Sequence, residues 1–445
     1  MSSPHQILPA IRSAKLVDLD AWRGRLVVWT AAATAGLVIV LFAWATDYAI
    51  ARFFSWQKAN AWLPLILTPV GGMLIVWLTN RWFVGVGGSG IPQTIAALQE
   101  GGKDSPHTAF VSLRLAFGKV VLGVGALAAG FSAGKEGPSV QVGASVMHAF
   151  RHFLPAGFSV HPKHLILAGG AAGISAAFNT PLAGIVFAIE ELGRSFEQKT
   201  NGVVITAIIL AGVVSISLQG NYTYFGHFAV GRINTDIVMQ VIVCALVCGM
   251  AGGIFSRTLI ESSGKIKGKT GEFRRLHPLW WAGFCGLMVA LLGAISGGSA
   301  HGSGYLFTRE MLDGSFSEIS WQYAPIKYLA TIFTYLSGVP GGIFAPSLSI
   351  GAGIGNDLLP LFSPQHAGTA IVALCMAGFL SAVTQAPITS FIIVMEMIDG
   401  HEMVISLMAV AMISAIVSRI FSPPLYATIA DMQMPRVSGD PATNN

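Results

Sequence analysis

The sequence GKEGPSVQVGA at residues 134–144 recurs as GIFAPSLSIGA at residues 342–352, with two glycines, a proline, a serine and an alanine at matching positions. In each copy the glycine and proline open a short apolar stretch. Proline favours the first turn of a helix, where N–H groups have no intrahelical acceptor. The stretches 138–150 and 346–359 are shorter than the ~20 residues with which a helix crosses a bilayer. The duplicated sequence therefore predicts two helices that begin partway through a membrane.

Two further features flank both copies in the same order. A Gly-Ser-Gly tripeptide precedes each copy, at 88–90 and 302–304, and a proline followed nine residues later by glutamate comes after each, at 181–190 and 387–396. Three matched features in one order indicate two related halves that meet near residue 225. Paired halves with broken helices are typical of secondary transporters, whose sites lie where the halves meet.

The composition indicates a membrane protein. Hydrophobic residues make up 53% of the 445 residues and charged residues only 11%, whereas a soluble domain has roughly 25% charged residues. The apolar runs long enough to be ordinary membrane spans are residues 26–48, 61–79, 202–219, 236–255, 279–297 and 402–420. We expect one integral domain of two repeats, at 23–225 and 226–430, between an interfacial N-terminal helix at 1–22 and a short cytoplasmic tail at 431–445.

Basic residues predict which loops face the cytoplasm. Arg12, Lys15, Arg23 and Arg25 precede the first long apolar run, and a second basic cluster lies in the loop at 257–275. Both regions are expected on the cytoplasmic side. The net charge of +5 does not indicate nucleic acid as a partner, because no basic domain accompanies it. A removable signal peptide is not predicted, because the N-terminal region lacks a small-residue cleavage site.

Neither a metal site nor a cofactor is expected. The four cysteines lie inside apolar stretches and have no acidic or histidine partner at metal-ligand spacing. We expect them to face lipid or to pack in the interior. Interfacial positions are expected for five histidines near the ends of predicted spans, namely His107, His148, His161, His164 and His301.

The sequence GSGIP at 88–92 predicts an anion site. Its glycines let backbone N–H groups approach an ion without a β-carbon in the way. The N-terminus of the following helix attracts negative charge, and Ser89 adds a neutral donor. A weakly held monovalent anion at Ser89 and Gly90 fits this combination. The alternative is a membrane-buried turn in which Ser89 only caps the helix.

Glu136 places a carboxylate against a second such helix N-terminus. A carboxylate inside a membrane is a functional candidate, and beside N–H donors it can occupy the position of an anion and leave on protonation. Glu136 is therefore predicted to be a proton-sensitive gate. The structural alternative is an ion pair with Lys135, although adjacent residues do not face each other on a helix. Phe344 stands at the equivalent position of the second half, so ionisable chemistry is expected in one half only.

Glu190 and Glu191 follow an apolar stretch that begins at Pro181. They are turned about 100° apart on a helix, so only one is expected to face the interior. The interior residue either relays protons to Glu136, or the pair simply marks where the helix reaches water. Glu396, at the position equivalent to Glu190, is expected to be a buried structural carboxylate.

Together these motifs resemble the chloride channel/transporter (ClC) family over essentially the whole chain. The matching sequences are GSGIP at 88–92, GKEGP at 134–138, GGIFAP at 341–346 and PLY at 424–426. The resemblance implies an all-α polytopic fold with two inverted-topology repeats of tilted and broken helices. It also implies a homodimer that spans the bacterial inner membrane many times, with both termini in the cytoplasm.

The resemblance further implies roles for residues at the motif positions. Ser89 and Tyr426 would supply hydroxyl groups to a central anion, with the N–H groups of Ile343 and Phe344 beside it. Ser89 also disfavours the fluoride-selective branch of the family, whose pattern usually differs at this position. Regulatory CBS domains, which many relatives carry, are not expected here.

The leading hypothesis is exchange of chloride for protons, with Glu136 as the external gate and Glu191 as the internal proton-transfer residue. Plain channels of the family commonly lack an acid at the position of Glu191. The alternative is a passive voltage- or pH-gated chloride channel that acts as an electrical shunt. An enzyme that uses the two acids as an acid/base pair is disfavoured, because nothing marks a nucleophile, metal or cofactor. Nitrate or another halide in place of chloride stays open, since selectivity depends on pore dimensions.

Overall fold

The computed structural model describes most of the chain. Its described residues are 19–99, 110–156, 160–193, 202–220, 223–228, 237–264, 268–314, 321–362 and 368–434. Within these ranges the regular structure is helical, and the two β-bridges are isolated contacts between loops. Almost all of the predicted interfacial helix at 1–22 and most of the predicted tail at 431–445 lie outside the described residues, as do Arg12, Lys15 and His107.

Eight helices form the first half of the described chain. They are α1 (Leu19–Ala59), α2 (Pro64–Trp82), α3 (Ile91–Gln99), α4 (Leu113–Ala128), α5 (Glu136–Ala149), α6 (Pro162–Phe178), α7 (Pro181–Phe187) and α8 (Gly202–Gln219). A π-helical turn at Ala188–Gly193 continues α7. Prolines stand in the first turns of α2, α6 and α7, where the missing N–H would have no intrahelical acceptor.

The second half repeats this order. Its helices are α9 (Ile237–Ser263), α10 (Lys269–Leu276), α11 (Pro278–Ile295), α12 (Tyr305–Leu312), α13 (Tyr323–Ser337), α14 (Phe344–Leu358), α15 (Gly368–Thr384), α16 (Pro387–Ile398), α17 (Val404–Phe421) and α18 (Leu425–Gln433). Apart from α10 and α18, each helix has a counterpart in the first half, from the pair α1 and α9 to the pair α8 and α17. Even the 3₁₀ turns that follow α5 and α14, at Phe150–Phe153 and Leu359–Leu361, are matched.

Equivalent helices also pack in equivalent ways. Helix α5 lies against α6 as α14 lies against α15. A β-carbon on Gly143 would overlap the carbonyl of Gly169, and one on Gly351 would overlap the carbonyl of Cys375. Gly143 and Gly351 occupy the same position of the duplicated sequence. The repeat in sequence is therefore also a repeat in helix packing.

The two halves have opposite orientations. Glu396, near the end of α16, accepts hydrogen bonds from N–H groups at the start of α7. Glu190, just after α7, accepts hydrogen bonds from N–H groups at the start of α16. Helices α7 and α16 therefore run antiparallel. Because they occupy equivalent positions of the repeat, the axis that relates the halves is perpendicular to them, and the predicted inverted topology is confirmed.

Long apolar helices make this an integral membrane protein. Helices α1, α9, α11 and the segment His401–Phe421, which contains α17, are long and apolar enough to cross a bilayer. Each of the six predicted spans overlaps one helix: α1, α2, α8, α9, α11 or α17. Large apolar side chains are exposed along these helices, including Leu41, Trp77, Ile254 and Ile416, as lipid contact requires. The exact limits of the two repeats stay a prediction.

Candidate ion pathway

Three glycine-rich loops meet where the two halves join. The Gly134 N–H donates to the Gly342 carbonyl at 2.7 Å, and the Gly342 N–H donates back at 2.8 Å. The Gly88 N–H donates to the Val339 carbonyl at 3.3 Å, and the Gly341 N–H donates to the Gly88 carbonyl at 3.2 Å. These bonds bring the N-termini of α3, α5 and α14 together.

The close approach of these loops requires glycine. A β-carbon on Gly90 would lie 2.7 Å from the Gly137 carbonyl oxygen, and one on Gly342 would lie 2.9 Å from the Gly137 nitrogen. Gly90 also has a φ of +104°, which residues with a side chain rarely adopt. A β-carbon on Gly137 would overlap the Ser89 hydroxyl. Glycine therefore lets the starts of α3 and α5 come into direct backbone contact.

Two buried lysines hold the loops in place, and our sequence reasoning missed both. Lys119 on α4 donates from Nζ to the carbonyl oxygens of Val86 at 2.6 Å and Gly88 at 2.8 Å. Lys327 on α13, the equivalent helix, donates to the carbonyl oxygens of residues 300–302 at 3.0, 3.2 and 2.7 Å. Both lysines are fully buried. The signal that could have found them is a lone lysine in an apolar run of each half, each after the Gly-Ser-Gly tripeptide.

The Ser89 and Tyr426 side chains meet at this junction. Helix α18 packs against α3, which brings Tyr426 to the start of α3. The two hydroxyl groups are within interaction range of each other, yet neither makes a hydrogen bond of ordinary geometry to any described residue. Only 3% of Ser89 and 1% of Tyr426 are exposed. Since buried polar groups normally have partners, this pair of donors suits an anion.

Backbone N–H groups at the junction differ in how they are used. The Gly90 N–H donates to Gln93 Oε1 at 3.0 Å, and Gln93 Nε2 donates to the Gly87 carbonyl at 2.8 Å. The Gly90 N–H is therefore already used to cap the start of α3, and Gly90 contributes to the junction through its backbone conformation. Ile343 and Phe344 lie at the start of α14, where a helix leaves its first N–H groups without intrahelical acceptors. Negative charge is favoured there.

Glu136 is the first residue of α5 and is fully buried. Its carboxyl group lies beside its own N–H and the N–H of Ala345, without a hydrogen bond of ordinary geometry to any described residue. A β-carbon on Gly134 would overlap Oε2, so this glycine makes room for the carboxyl group. The carboxylate therefore lies at two helix N-termini, the kind of place that an anion prefers.

Lys135 pairs with Asp47 of α1 and not with Glu136. Lys135 Nζ lies 2.7 Å and 2.8 Å from the two carboxylate oxygens of Asp47. Adjacent residues point in different directions on a helix, so the lysine reaches away from the junction. The ion pair considered as the structural role of Glu136 is therefore absent from this structure.

The π-helical turn at Ala188–Gly193 places its two neighbouring glutamates in different environments. Glu190 accepts hydrogen bonds from the N–H groups of Ile388 at 3.0 Å and Thr389 at 2.6 Å. Glu191, by contrast, has only 2% of its surface exposed. Glu191 is thus the interior residue of the pair, and Glu190 is a helix cap. Single π-helical turns often occur at functional sites.

Tyr426 links the two buried acids electrostatically. Its hydroxyl group lies within electrostatic range of both Glu191 and Glu136, although these acids come from different helices. Tyr426 also adjoins Ser89, as described above. The hydroxyl group of Tyr426 is therefore a neighbour that Ser89, Glu136 and Glu191 have in common.

Two cavities lie near opposite ends of α16. The first has a volume of about 680 Å³ and is lined by Glu191 and by Ile388 at the start of α16. The second has a volume of about 370 Å³ and is lined by Lys135 and Tyr224. The residue after Tyr224 is bound to the end of α16 by a backbone hydrogen bond of 3.0 Å. One cavity thus approaches Glu191, and the other approaches the residue next to Glu136.

Phe344 shows what the second half has in place of an acid. Its ring centre lies 6.0 Å from that of Phe178 and 6.3 Å from that of Phe187, and only 1% of the residue is exposed. The side chain is therefore part of the core. Only the backbone of Phe344 is available to the junction.

The four cysteines and two of the histidines, His148 and His301, are packing residues. All four cysteines are buried. His148 and His301 are also buried, so the interfacial position expected for these two was wrong. Each ring instead lies within hydrogen-bond distance of a backbone carbonyl, that of Val111 or Gly130, which satisfies it in the interior. In the described ranges, no group of three or more His, Cys, Asp or Glu side chains is arranged to hold a metal ion.

A profile of the family described as voltage gated chloride channel matches residues 71–419. This range contains the three loops of the junction and both buried acids. The chain belongs to the voltage-gated chloride channel family. Among its relatives is the H⁺/Cl⁻ exchange transporter ClcA of Klebsiella pneumoniae subsp. pneumoniae, 30% identical over 438 residues that cover 92% of this chain and 88% of the relative. ClcA of Salmonella typhimurium is 29% identical over 406 residues, covering 86% and 81%.

Solved structures of this family have the same fold. A slow cyanobacterial Cl⁻/H⁺ antiporter superimposes with a TM-score of 0.76 at 23% identity, covering 91% of this chain and 97% of that one. A CLC-type fluoride/proton antiporter gives a TM-score of 0.75 at 24% identity, covering 91% and 96%. The fold predicted from the resemblance is therefore confirmed.

Proposed function

We propose that this protein is a secondary-active transporter that exchanges chloride for protons across a membrane. The observation that carries the proposal is that Glu136 and Glu191, both buried, are within electrostatic range of one hydroxyl group, that of Tyr426. Membership of a transport family whose relatives include H⁺/Cl⁻ exchange transporters supports the same reaction.

Chloride binds between Ser89 and Tyr426, whose hydroxyl groups donate to it. The N–H groups of Ile343 and Phe344 face the ion from the start of α14, where the helix dipole favours an anion. Lys119 holds the Ser89 loop in shape through the Val86 and Gly88 carbonyls and adds positive charge nearby. Neutral donors bind a monovalent anion weakly enough for it to leave.

Protons move through the two acids. An ionised Glu136 competes with chloride for the helix N-termini, whereas a protonated Glu136 has no charge and yields its place to the ion. Proton binding at Glu136 therefore favours entry of chloride, and proton release favours its departure, so the proton and the chloride control each other's access to the site. Glu191 passes protons between Glu136 and the 680 Å³ cavity.

The cavity next to Glu191 faces the cytoplasm in this proposal. Arg23 and Arg25 stand at the start of α1, and Lys269, Arg274 and Arg275 lie in α10, so the positive-inside rule assigns these regions to the cytoplasm. Both termini are then cytoplasmic, and the membrane is the bacterial inner membrane. We further propose a homodimer in which each subunit has its own pathway, as the family resemblance implies. Cross-linking in native membranes tests this assembly.

Transport by purified protein in liposomes tests the function. With a chloride gradient as the only driving force, the proposed exchanger moves protons uphill. Chloride flux without any proton movement would instead identify a passive channel and would contradict the proposal. Competition with nitrate, bromide and fluoride in the same assay establishes which anion is preferred.

A further inference from the structure

Two carboxylates bind the two halves to each other, and one of them, Glu190, also lines the 680 Å³ cavity. Glu190 of the first half accepts hydrogen bonds from the N–H groups of residues 388–389 at 3.0 and 2.6 Å. Glu396 of the second half accepts hydrogen bonds from the N–H groups of residues 182–183 at 3.2 and 2.8 Å. Each carboxylate therefore caps the start of a short helix that belongs to the other half. We call this pair of caps the carboxylate clasp.

The clasp needs the charged form of both acids. The four donors are N–H groups of first helical turns, which have no intrahelical acceptors and favour negative charge. A carboxylate offers an acceptor oxygen to each N–H group. A glutamine offers only one oxygen, and its NH₂ group would face the second N–H donor. Charge-assisted bonds of this kind are also stronger than neutral ones.

The clasp holds α7 at both of its ends. Glu396 binds the first turn of α7, while Glu190 lies in the π-helical turn that continues it. Helix α7 has only seven residues, so a shift or rotation at either end would reach the other. Glu191 is the next residue after Glu190. With Glu190 fixed on α16, the backbone turns Glu191 into the interior, where 2% of it is exposed.

Other contacts keep α7 folded if one cap is lost. Phe187 is fully buried and its ring lies 6.3 Å from that of Phe344. A β-carbon on Gly184 would lie 3.0 Å from the carbonyl of Ala171, so α7 is also pressed against α6. The clasp therefore fixes the orientation of a helix that other contacts already hold in place.

We propose that the clasp positions Glu191 for proton transfer, and that Glu396, which touches neither ion, is a positioning residue for the proton branch of transport. This role rests on the proposed exchange function. Loss of one cap lets α7 rotate and moves Glu191 away from Tyr426. Chloride binding is spared, because Ser89 lies in the loop before α3 and Tyr426 lies on α18.

The substitution Glu396→Gln tests the proposal in liposomes. We expect the number of protons moved per chloride to fall at least about threefold, a factor consistent with loss of one charge-assisted hydrogen bond, while the chloride rate stays close to that of the wild type. Glu402→Gln is the matched control. It removes an exposed acid six positions further along the chain, and it should leave both quantities unchanged.

Two backbone variants keep the test decisive if Glu396→Gln fails to fold. Leu182→Pro and Ile388→Pro each remove one N–H group from a cap but leave both carboxylates in place, and proline is tolerated in the first turn of a helix. Leu182 and Ile388 are both exposed. Each variant should lower the ratio of protons to chloride in the same direction as Glu396→Gln.

The outcomes separate this role from the proposed function. A wild-type ratio in folded Glu396→Gln, or a proportional loss of both fluxes, overturns the positioning role while the exchange function stands. A wild-type protein that moves chloride but no protons overturns the exchange function, and the positioning role with it.

Discussion

The starts of α5 and α14 have the same backbone but different side chains. Gly134 and Gly342 are paired by reciprocal hydrogen bonds, and the helix that follows each one begins two residues later. At that first position the first half has Glu136, whose carboxyl group folds back on the helix start. The second half has Phe344, whose ring packs into the core.

This difference indicates which functions the two halves share and which function only one half provides. Both halves provide a helix N-terminus that favours an anion, and both use a buried lysine to hold the preceding Gly-Ser-Gly loop. Only the first half adds a group that can carry a proton. We infer that binding of the anion uses backbone from both halves, whereas coupling to protons comes from one.

Among the substitutions that compare the two halves, replacing Glu136 should give the largest effect. Glu136→Gln keeps the shape of the side chain but removes the proton carrier, so we expect proton flux to fall by about 100-fold, as when a positioned proton-transfer group is lost. Chloride flux should persist. The matched change Phe344→Leu in the other half should retain proton transport. Equal losses of proton transport in both variants would contradict the one-sided account. Both fluxes can be followed in one liposome assay.

Substitutions of the two buried lysines distinguish an effect on stability from an effect on ion binding. Lys119→Met and Lys327→Met each leave carbonyl oxygens without their donor, so each should lower the free energy of unfolding by about 3 kcal/mol. Only Lys119→Met should also weaken chloride binding, on the order of tenfold, since it removes a positive charge beside the Ser89 loop. Thermal unfolding and calorimetric titration with chloride measure the two effects. The same loss of affinity in both variants would argue against the assigned position of the anion.

The hydroxyl groups give a smaller effect. Ser89→Ala and Tyr426→Phe each remove one hydrogen bond, worth about 1 kcal/mol, and each should weaken chloride binding about fivefold. Ser303 stands in the second Gly-Ser-Gly tripeptide and provides the control. Ser303→Ala should leave the affinity unchanged in calorimetric titration. A loss at Ser303 that matched the loss at Ser89 would mean that both tripeptides contact the anion.

Substitutions of the paired glycines, Gly134 and Gly342, should give the smallest difference between the two halves. A β-carbon at Gly134 meets the flexible side chain of Glu136, whereas one at Gly342 meets the Gly137 backbone at 2.9 Å. Gly134→Ala should therefore displace the carboxyl group and lower proton coupling, at little cost in stability. Gly342→Ala should lower the free energy of unfolding by about 1–3 kcal/mol, as overpacking does. Flux ratios and unfolding curves distinguish these results, and the reverse pattern would place the carboxyl group elsewhere.

Local sequence patterns predicted much of this molecule. Apolar runs and Gly-Pro openings are read within a few residues, which is why the spans, the repeat and the short helices could be predicted. Glu136 was also found this way, because the acid and the helix start that it faces are adjacent in sequence. The prediction that Glu191 rather than Glu190 transfers protons came from the family resemblance, since both residues share the same local pattern.

Contacts between distant residues could not be predicted. Lys119 binds a carbonyl 33 residues away, and the Glu190 cap joins residues 198 positions apart. A lysine in an apolar run gives no indication of which carbonyl oxygens it will meet. The Gly90 N–H was assigned to the anion because the competing Gln93 side chain was not considered. His301 looked interfacial for a similar reason, since its carbonyl partner is 171 residues away.

In the proposed exchanger, protons and chloride share a pathway whose proton branch runs through Glu191. The most direct test is the ratio of proton to chloride flux in liposomes for the wild type and for Glu191→Gln. We predict uphill proton movement in the wild type, and in the variant chloride flux with no proton movement. Uphill proton movement that persists in Glu191→Gln would show that protons do not pass through Glu191.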